Sequence, residues 1–360
     1  MHQCRRLFTT TLLIGALAVA ALASSSPTAA SADGGFHVGL VRCTFIDHSR
    51  SVLNYSTSPP SVLTRGRVLV TEIRYPTVGS ASNSVEVVGA RPATRSGGFP
   101  MIVFAHGYDV TPDTYSSLLD AWAQQGFVVA APVFPDENTN AIALQHDANT
   151  EGDLVNEPAD LAFVTRQLVD DSAKATPSCP LASGLINATS LALAGHSDGG
   201  EAVGMLSNSL GRDPQGVAFA SLRSGLAYRA VIVMSGAEDG AGPFHASTMH
   251  SALLVVQSAA DTCNAADEAL RLYRAIGQND KWFLELITAH HLPPYDGEDA
   301  VALTMVSGVT VRFLQQALEP ATSSSVMAFG ASRPAVAQIF HAGSGPSIAP
   351  LKGPPHCGFH

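Results

Sequence analysis

The chain has 360 residues, of which only 14% are charged, with 20 basic against 30 acidic side chains and a formal net charge of −10 at pH 7. No basic stripe is present to neutralise phosphates, which argues against nucleic acid as a partner. Apolar residues make up 46% of the chain, enough for a full-sized core.

The first segment carries Arg5 and Arg6, an apolar run from Leu12 to Leu22, and then small residues leading to Ala30-Ser31-Ala32. That order predicts a secretory signal peptide over residues 1–32 and a secreted, extracellular protein. The run is short for a bilayer and no stop-transfer pattern follows, so no stable membrane anchor is expected. Residues 33–320 are expected to form one catalytic domain, and residues 321–360, rich in Ser, Ala, Gly and Pro, a loosely ordered C-terminal tail. Once the signal is removed, Cys43, Cys179, Cys263 and Cys357 remain. An even number in an exported protein suggests one or two disulfides, with three pairings open and no spacing that fits a metal.

From residue 67 onward, short apolar runs alternate with amphipathic stretches, which predicts an α/β fold with a mostly parallel sheet flanked by helices. Strands are expected at Arg67–Tyr75, Met101–Ala105, Phe127–Val133, Ser190–Ala194, Tyr228–Met234, Ala252–Gln257 and Trp282–Ile287. Several are continuously apolar, as strands covered on both faces must be. Helices are expected at Tyr115–Gln125, Pro158–Val169, Gly199–Leu210, Ala265–Ile276 and Asp299–Ala317. The polar stretch Asp136–Glu157 predicts a long surface loop beside the sheet. The segment over 211–227 is too short for a large lid.

The strongest chemical signal is the apolar run Leu191-Ala192-Leu193-Ala194 entering Gly195-His196-Ser197-Asp198-Gly199 ahead of a helix. A strand feeding a Gly-x-Ser-x-Gly turn is the nucleophile elbow of the α/β-hydrolase fold, with Gly195 and Gly199 giving the turn room and Ser197 as nucleophile. A serine hydroxyl is a weak nucleophile and needs a base within hydrogen-bond reach and a carboxylate to orient that base. In this fold the chain order is Ser, acid, His. Asp261 follows one downstream strand and the pair His290-His291 follows the next. Asp239, after the preceding strand, is the rival acid. The tetrahedral intermediate needs two fixed donors for its oxyanion, assigned to the backbone amides of Tyr108, after the strand end His106-Gly107, and of Asp198. His106 is expected to hold that loop. The Asp198 carboxylate is expected to point away from the site.

Several segments together resemble a family: Tyr75-Pro76, Phe104-Ala105-His106-Gly107, Gly126-Phe127-Val128-Val129-Ala130, Glu157-Pro158-Ala159-Asp160-Leu161, and Ala194 to Gly200. They are similar to secreted bacterial α/β-hydrolases of the dienelactone-hydrolase-like and platelet-activating-factor-acetylhydrolase-like group, which borders on cutinase-like polyesterases. The likeness spans about residues 40–318. It implies an α/β-hydrolase fold without a large lid and a catalytic triad of Ser197, Asp261 and His291, the last favoured over His290 because the family sets its histidine before Leu-Pro. It further implies hydrolysis of carboxylic esters through an acyl-enzyme, without cofactor or metal. Two departures stand out. Asp198 replaces the apolar residue usual in polyesterases, and Ser197 replaces the cysteine of true dienelactone hydrolases.

Small-molecule or polymeric esters with short to medium acyl chains are therefore the expected substrates, with polyester or phospholipid-acetyl hydrolysis as alternatives. A non-catalytic binding protein on the same fold is the alternative of another class. Acyl and alcohol specificity and oligomeric state do not follow from the sequence.

Overall fold

A computed structural model describes residues 35–78, 86–146, 151–179, 181, 183–208, 210–236, 249–320, 325–348 and 357. The expected signal peptide and Asp239 lie outside these residues. Two long strands come first, β1 (His37–Asn54) and β2 (Ser61–Thr77), paired antiparallel with register shifts between Asp47 and Ser51 and between Val52 and Leu53. The short β3 (Val87–Val88) runs parallel to β1. The alternating part then begins with β4 (Phe99–Ala105), α1 (Ser116–Gln124) and β5 (Val128–Pro132). It continues through α2 (Thr139–Ala143), α3 (Glu157–Ala173), β6 (Ile186–His196) and α4 (Asp198–Asn208). The remainder is α5 (Phe219–Leu222), β7 (Tyr228–Met234), β8 (Ala252–Ser258), α6 (Ala266–Ala275), β9 (Lys281–Leu286), α7 (Pro293–Asp296), α8 (Ala300–Leu318), α9 (Val326–Gly330) and β10 (Ala337–His341).

The described strands form one sheet in the order β10-β9-β8-β7-β6-β4-β5-β2-β1-β3. Strands β5 to β9 and β4 are parallel to one another. Antiparallel partners flank them, β2 beside β5 and β10 beside β9. Every residue of β4 and β8 is buried, which accounts for the unbroken apolar sequence of β4 and for the apolar run Ala252–Val256 of β8: alternate side chains enter two separate cores. Met101, Val103 and Ala105 pack with Leu161, Leu168 and Leu206 on one face, whereas Ile102 and Phe104 pack with Leu118, Trp122, Val309 and Phe313 on the other. The fold is thus an α/β-hydrolase sandwich, with α3, α4 and α6 on one side of the sheet and α1 and α8 on the other. Helix α8 is long and apolar enough to cross a membrane. Here its buried face, including Met305, Val309 and Phe313, lies in the second core, and the Asp299 side chain caps its first turn.

All seven expected strands and five expected helices are present. Three features differ from expectation. First, β1 precedes the region where strands were expected. Arg42, Asp47 and Arg50 interrupt its apolar pattern, yet Asp47 and Arg50 are buried as a pair joined by a 2.7 Å Nε–Oδ2 bond. Second, the two ends of the stretch 136–157 are not solvated: Asp136, Glu137, Asn138, Asp153, Asn156 and Glu157 are buried, whereas Thr139, Asn140, Ala143, Leu144, Gln145 and Glu151 are exposed. Asp153 looks solvated in sequence because the cation that accompanies its burial, Arg67, lies 86 residues earlier. Arg67 reaches Asp153 and Asp160, each at 2.6 Å, and Arg50 reaches Asp160 at 2.5 Å. Third, within the tail expected to be loosely ordered, α9 packs on α8 and β10 extends the sheet.

Two disulfides join the four cysteines, Cys43–Cys179 and Cys263–Cys357. The first fastens β1 to the segment after α3, and the second fastens the loop after β8 to the C-terminal tail. Among the described residues, 211–227 hold only the short α5.

Candidate active site

The chain leaves β4 for β5 on one side and later returns to β6 on the other, so the sheet's topological switch lies between β4 and β6. Ligand sites of open α/β sheets form there, at the carboxyl ends of the strands. His106-Gly107-Tyr108 follows β4, and Ser197 follows β6.

Ser197 has φ of +56°, a left-handed conformation that costs a non-glycine residue about 1–2 kcal/mol. The surrounding backbone enforces it. The Ser197 amide donates to the Met234 carbonyl at 3.0 Å, and the Ser197 carbonyl accepts from the Glu201 amide in the first turn of α4 at 3.1 Å. The turn is so tight that a Cβ on Gly195 would lie 2.0 Å from the Gly199 oxygen, and one on Gly199 would lie 2.3 Å from the Ala105 oxygen. These two contacts explain the glycines on either side of the serine. The second also sets the elbow directly against the end of β4.

Asp261 and His291 come from the loops after β8 and β9. His291 Nδ1 and Asp261 Oδ2 are 2.8 Å apart. The same carboxylate accepts from the amides of Cys263 at 2.8 Å and Asn264 at 3.0 Å, and from Gln257 Nε2 at 3.1 Å. Ringed by donors, it can only accept from His291, so the imidazole carries its proton on Nδ1 and offers Nε2 as the basic nitrogen. Nε2 is buried and makes no hydrogen bond among the described residues. His290 is exposed. The structure thus brings His291, not its neighbour, to Asp261.

Ser197, His291, Tyr108, Gly107, Val110 and Leu292 line one small recess. Ser197 Oγ lies 3.5 Å from Asp198 Oδ1, so the Asp198 carboxylate faces the nucleophile where it was expected to point away. Asp198 opens α4, and the helix N-terminus favours a carboxylate at that point.

Both polar groups of Gly107 are held. Phe134 N donates to His106 Nε2 at 3.0 Å, which leaves the Nδ1 proton of His106 to donate to the Gly107 carbonyl at 2.8 Å. Burial lowers the His106 pKa to about 4, keeping the ring neutral for both bonds. Among the described residues the only cis peptide bond is Ser58–Pro59. In the trans peptide after Gly107, N–H and C=O point in opposite directions, so the Tyr108 amide points away from His106. The Gly107 amide donates to Tyr115 Oη at 3.2 Å. Sequence inspection missed Tyr115. It starts a helix in the polar context Asp113-Thr114-Tyr115-Ser116-Ser117, and no motif links it to residue 196.

Behind Asp198 lies the acidic stretch. Burial, with the neighbouring charges of Glu157 and Asp198, pushes the Glu137 carboxyl well above the usual range. Glu157 is likewise raised well above its ordinary 4.5, chiefly by burial. Neither is bonded to an arginine or lysine among the described residues. Among the same residues, no cluster of His, Cys, Asp and Glu has the geometry of a metal site.

The chlorophyllase family model matches residues 59–224, a span that contains the β4 loop and the elbow. Among solved structures, a ferulic acid esterase from Streptomyces cinnamoneus superposes with a TM-score of 0.62 at 17% identity, over 85% of this chain and 96% of that one. No curated protein sequence matches the chain. The fold is that of the α/β-hydrolases, and the family match and the fold together support a carboxylic ester hydrolase.

Proposed function

We propose that the protein is a secreted serine esterase whose triad is Ser197, His291 and Asp261. The observation that carries this reading is the recess shared by Ser197 and His291 Nε2, with Asp261 fixing the opposite edge of the imidazole at 2.8 Å. The reaction requires the Ser197 side chain to exchange its long contact with Asp198 for a hydrogen bond to Nε2; such bonds are commonly loose before substrate binds.

His291 Nε2 then takes the hydroxyl proton as Oγ attacks the ester carbonyl. The oxyanion is bound by the amides of Tyr108 and Asp198, and the imidazolium returns its proton to the departing alcohol. Water activated by the same nitrogen hydrolyses the acyl-enzyme and regenerates Ser197. Asp261 holds the tautomer throughout. Two disulfides agree with an extracellular location. Esters of short to medium acyl chains are the first substrates to try, and the likeness to a ferulic acid esterase adds feruloyl esters to them.

The test is hydrolysis of a nitrophenyl ester series, a feruloyl ester and a polyester film by purified protein, beside the Ser197→Ala variant and a fluorophosphonate label located by mass spectrometry. Turnover abolished in the variant, with the label on Ser197, is the expected result. An unlabelled, inert protein would favour a binding role on the same fold.

A further inference from the structure

We infer that Tyr115 and His196 are positioning residues, joining the oxyanion loop to the base loop through one hydrogen-bonded chain that runs past the nucleophile. The inference deepens the serine-esterase reading and rests on it.

The chain has four members. The Gly107 amide donates to Tyr115 Oη at 3.2 Å, Tyr115 Oη lies 2.8 Å from His196 Nδ1, and His196 Nε2 lies 3.1 Å from the His291 carbonyl oxygen. Every proton in it has one possible place. A backbone amide can only donate, so Tyr115 accepts from Gly107 and its own hydroxyl proton goes to Nδ1. A carbonyl can only accept, so His196 carries its single proton on Nε2 and donates to His291. Both side chains are fully buried, and burial keeps the imidazole and the phenol neutral. The His196 ring is also packed between those of His291 and Tyr295, with centroids 4.6 Å and 4.5 Å away.

The proposed reaction needs three atoms in fixed relation: the Tyr108 amide nitrogen, Ser197 Oγ and His291 Nε2. They belong to loops after three different strands, β4, β6 and β9. His196 immediately precedes the nucleophile, Gly107 immediately precedes Tyr108, and the carbonyl that His196 holds belongs to His291 itself. Each link therefore ends on a residue that carries a reacting group or on the neighbour of one. Misplacement by about 1 Å at such a site can reduce turnover about 100-fold.

The experiment compares wild type with Tyr115→Phe, His196→Asn and His196→Leu, measuring kcat and KM on one nitrophenyl ester, the rate of fluorophosphonate labelling, and thermal midpoint. Tyr115→Phe keeps the ring and removes one hydroxyl. It is expected to lower kcat and the labelling rate together by about 10- to 100-fold with KM nearly unchanged. His196→Asn, whose amide can still meet Tyr115, should retain more turnover than His196→Leu, which fills similar volume with no polar atom. Because the links form one chain, Tyr115→Phe added to His196→Leu should reduce kcat little further. Wild-type kcat and labelling rate in folded Tyr115→Phe would overturn the inference while leaving the triad intact, even if its thermal midpoint had dropped. Wild-type protein that takes no label on Ser197 would overturn the esterase reading and this inference with it.

Discussion

Buried carboxylates approach the nucleophile elbow from two sides, and the protein treats them in opposite ways. On the side of β8 and β9, Asp261 is surrounded by donors: two backbone amides, Gln257 and the imidazole of His291. On the side of residues 136–160 the acids divide again. Asp153 and Asp160 are bound by the buried guanidinium of Arg67, whose own pKa burial alone would lower but the charges of Asp160 and Asp153 hold well above its ordinary value. Glu137 and Glu157 have no such cation among the described residues, and burial drives both toward the neutral acid. The same carboxyl group is thus held by donors or a guanidinium at Asp261, Asp153 and Asp160, and driven toward its neutral form by burial at Glu137 and Glu157. Its surroundings decide which.

The sharpest way to break this contrast is at Asp261. Asp261→Asn would present an amide to His291 Nδ1 and favour the tautomer with its proton on Nε2, so kcat should fall by about 10⁴-fold with the fold retained. Steady-state kinetics and thermal unfolding of the same preparation check it. Retained turnover would mean that the charge on this side does not orient the base. On the other side, Arg67→Met removes the cation from two fully buried aspartates and should destabilise the protein by about 3–5 kcal/mol, read from urea unfolding. A loss below about 1 kcal/mol would mean that Asp153 and Asp160 do not depend on Arg67.

How legible each side was in the sequence follows the same division. The elbow is local: strand, two glycines and serine lie within ten residues, and their backbone contacts require those residue types. Asp261 and His291 could be proposed because the order of elements puts both just past strand ends and because the family likeness sets its histidine before Leu-Pro. The acidic side was misread because its organisation is not local. Asp153 resembles part of a solvated loop until Arg67, on the β1–β2 hairpin, is brought against it, and no periodicity announces a buried ion pair. Strand β1 was overlooked for the same reason, since two of the residues that mark it as polar, Asp47 and Arg50, belong to that network. Tyr115 escaped because its role depends on one hydroxyl meeting a histidine 81 residues later. The α9 and β10 segments fall in a stretch of low-complexity composition. There, a five-residue strand gains its order from pairing with β9 and not from its own pattern.

The smallest of the expected effects sharpens the comparison most, because it reads the protonation of the Glu137–Glu157 pair directly. Folding raises both pKa values above the ordinary 4.5, so above that value the folded protein binds more protons than the unfolded chain. Stability must then fall as pH rises, by up to about 1.4 kcal/mol per pH unit for each retained proton, until the pair ionises in the folded state. Glu157→Gln replaces one titrating group with a neutral amide of the same shape that can still bond Glu137. Urea unfolding from about pH 5 to pH 9 should therefore give a shallower decline for the variant, matching wild type near the acid end and exceeding it at the alkaline end. Parallel curves would mean that Glu157 is ionised in the folded protein. An undetected donor or cation would then have to hold it, and the two sides of the elbow would be alike after all.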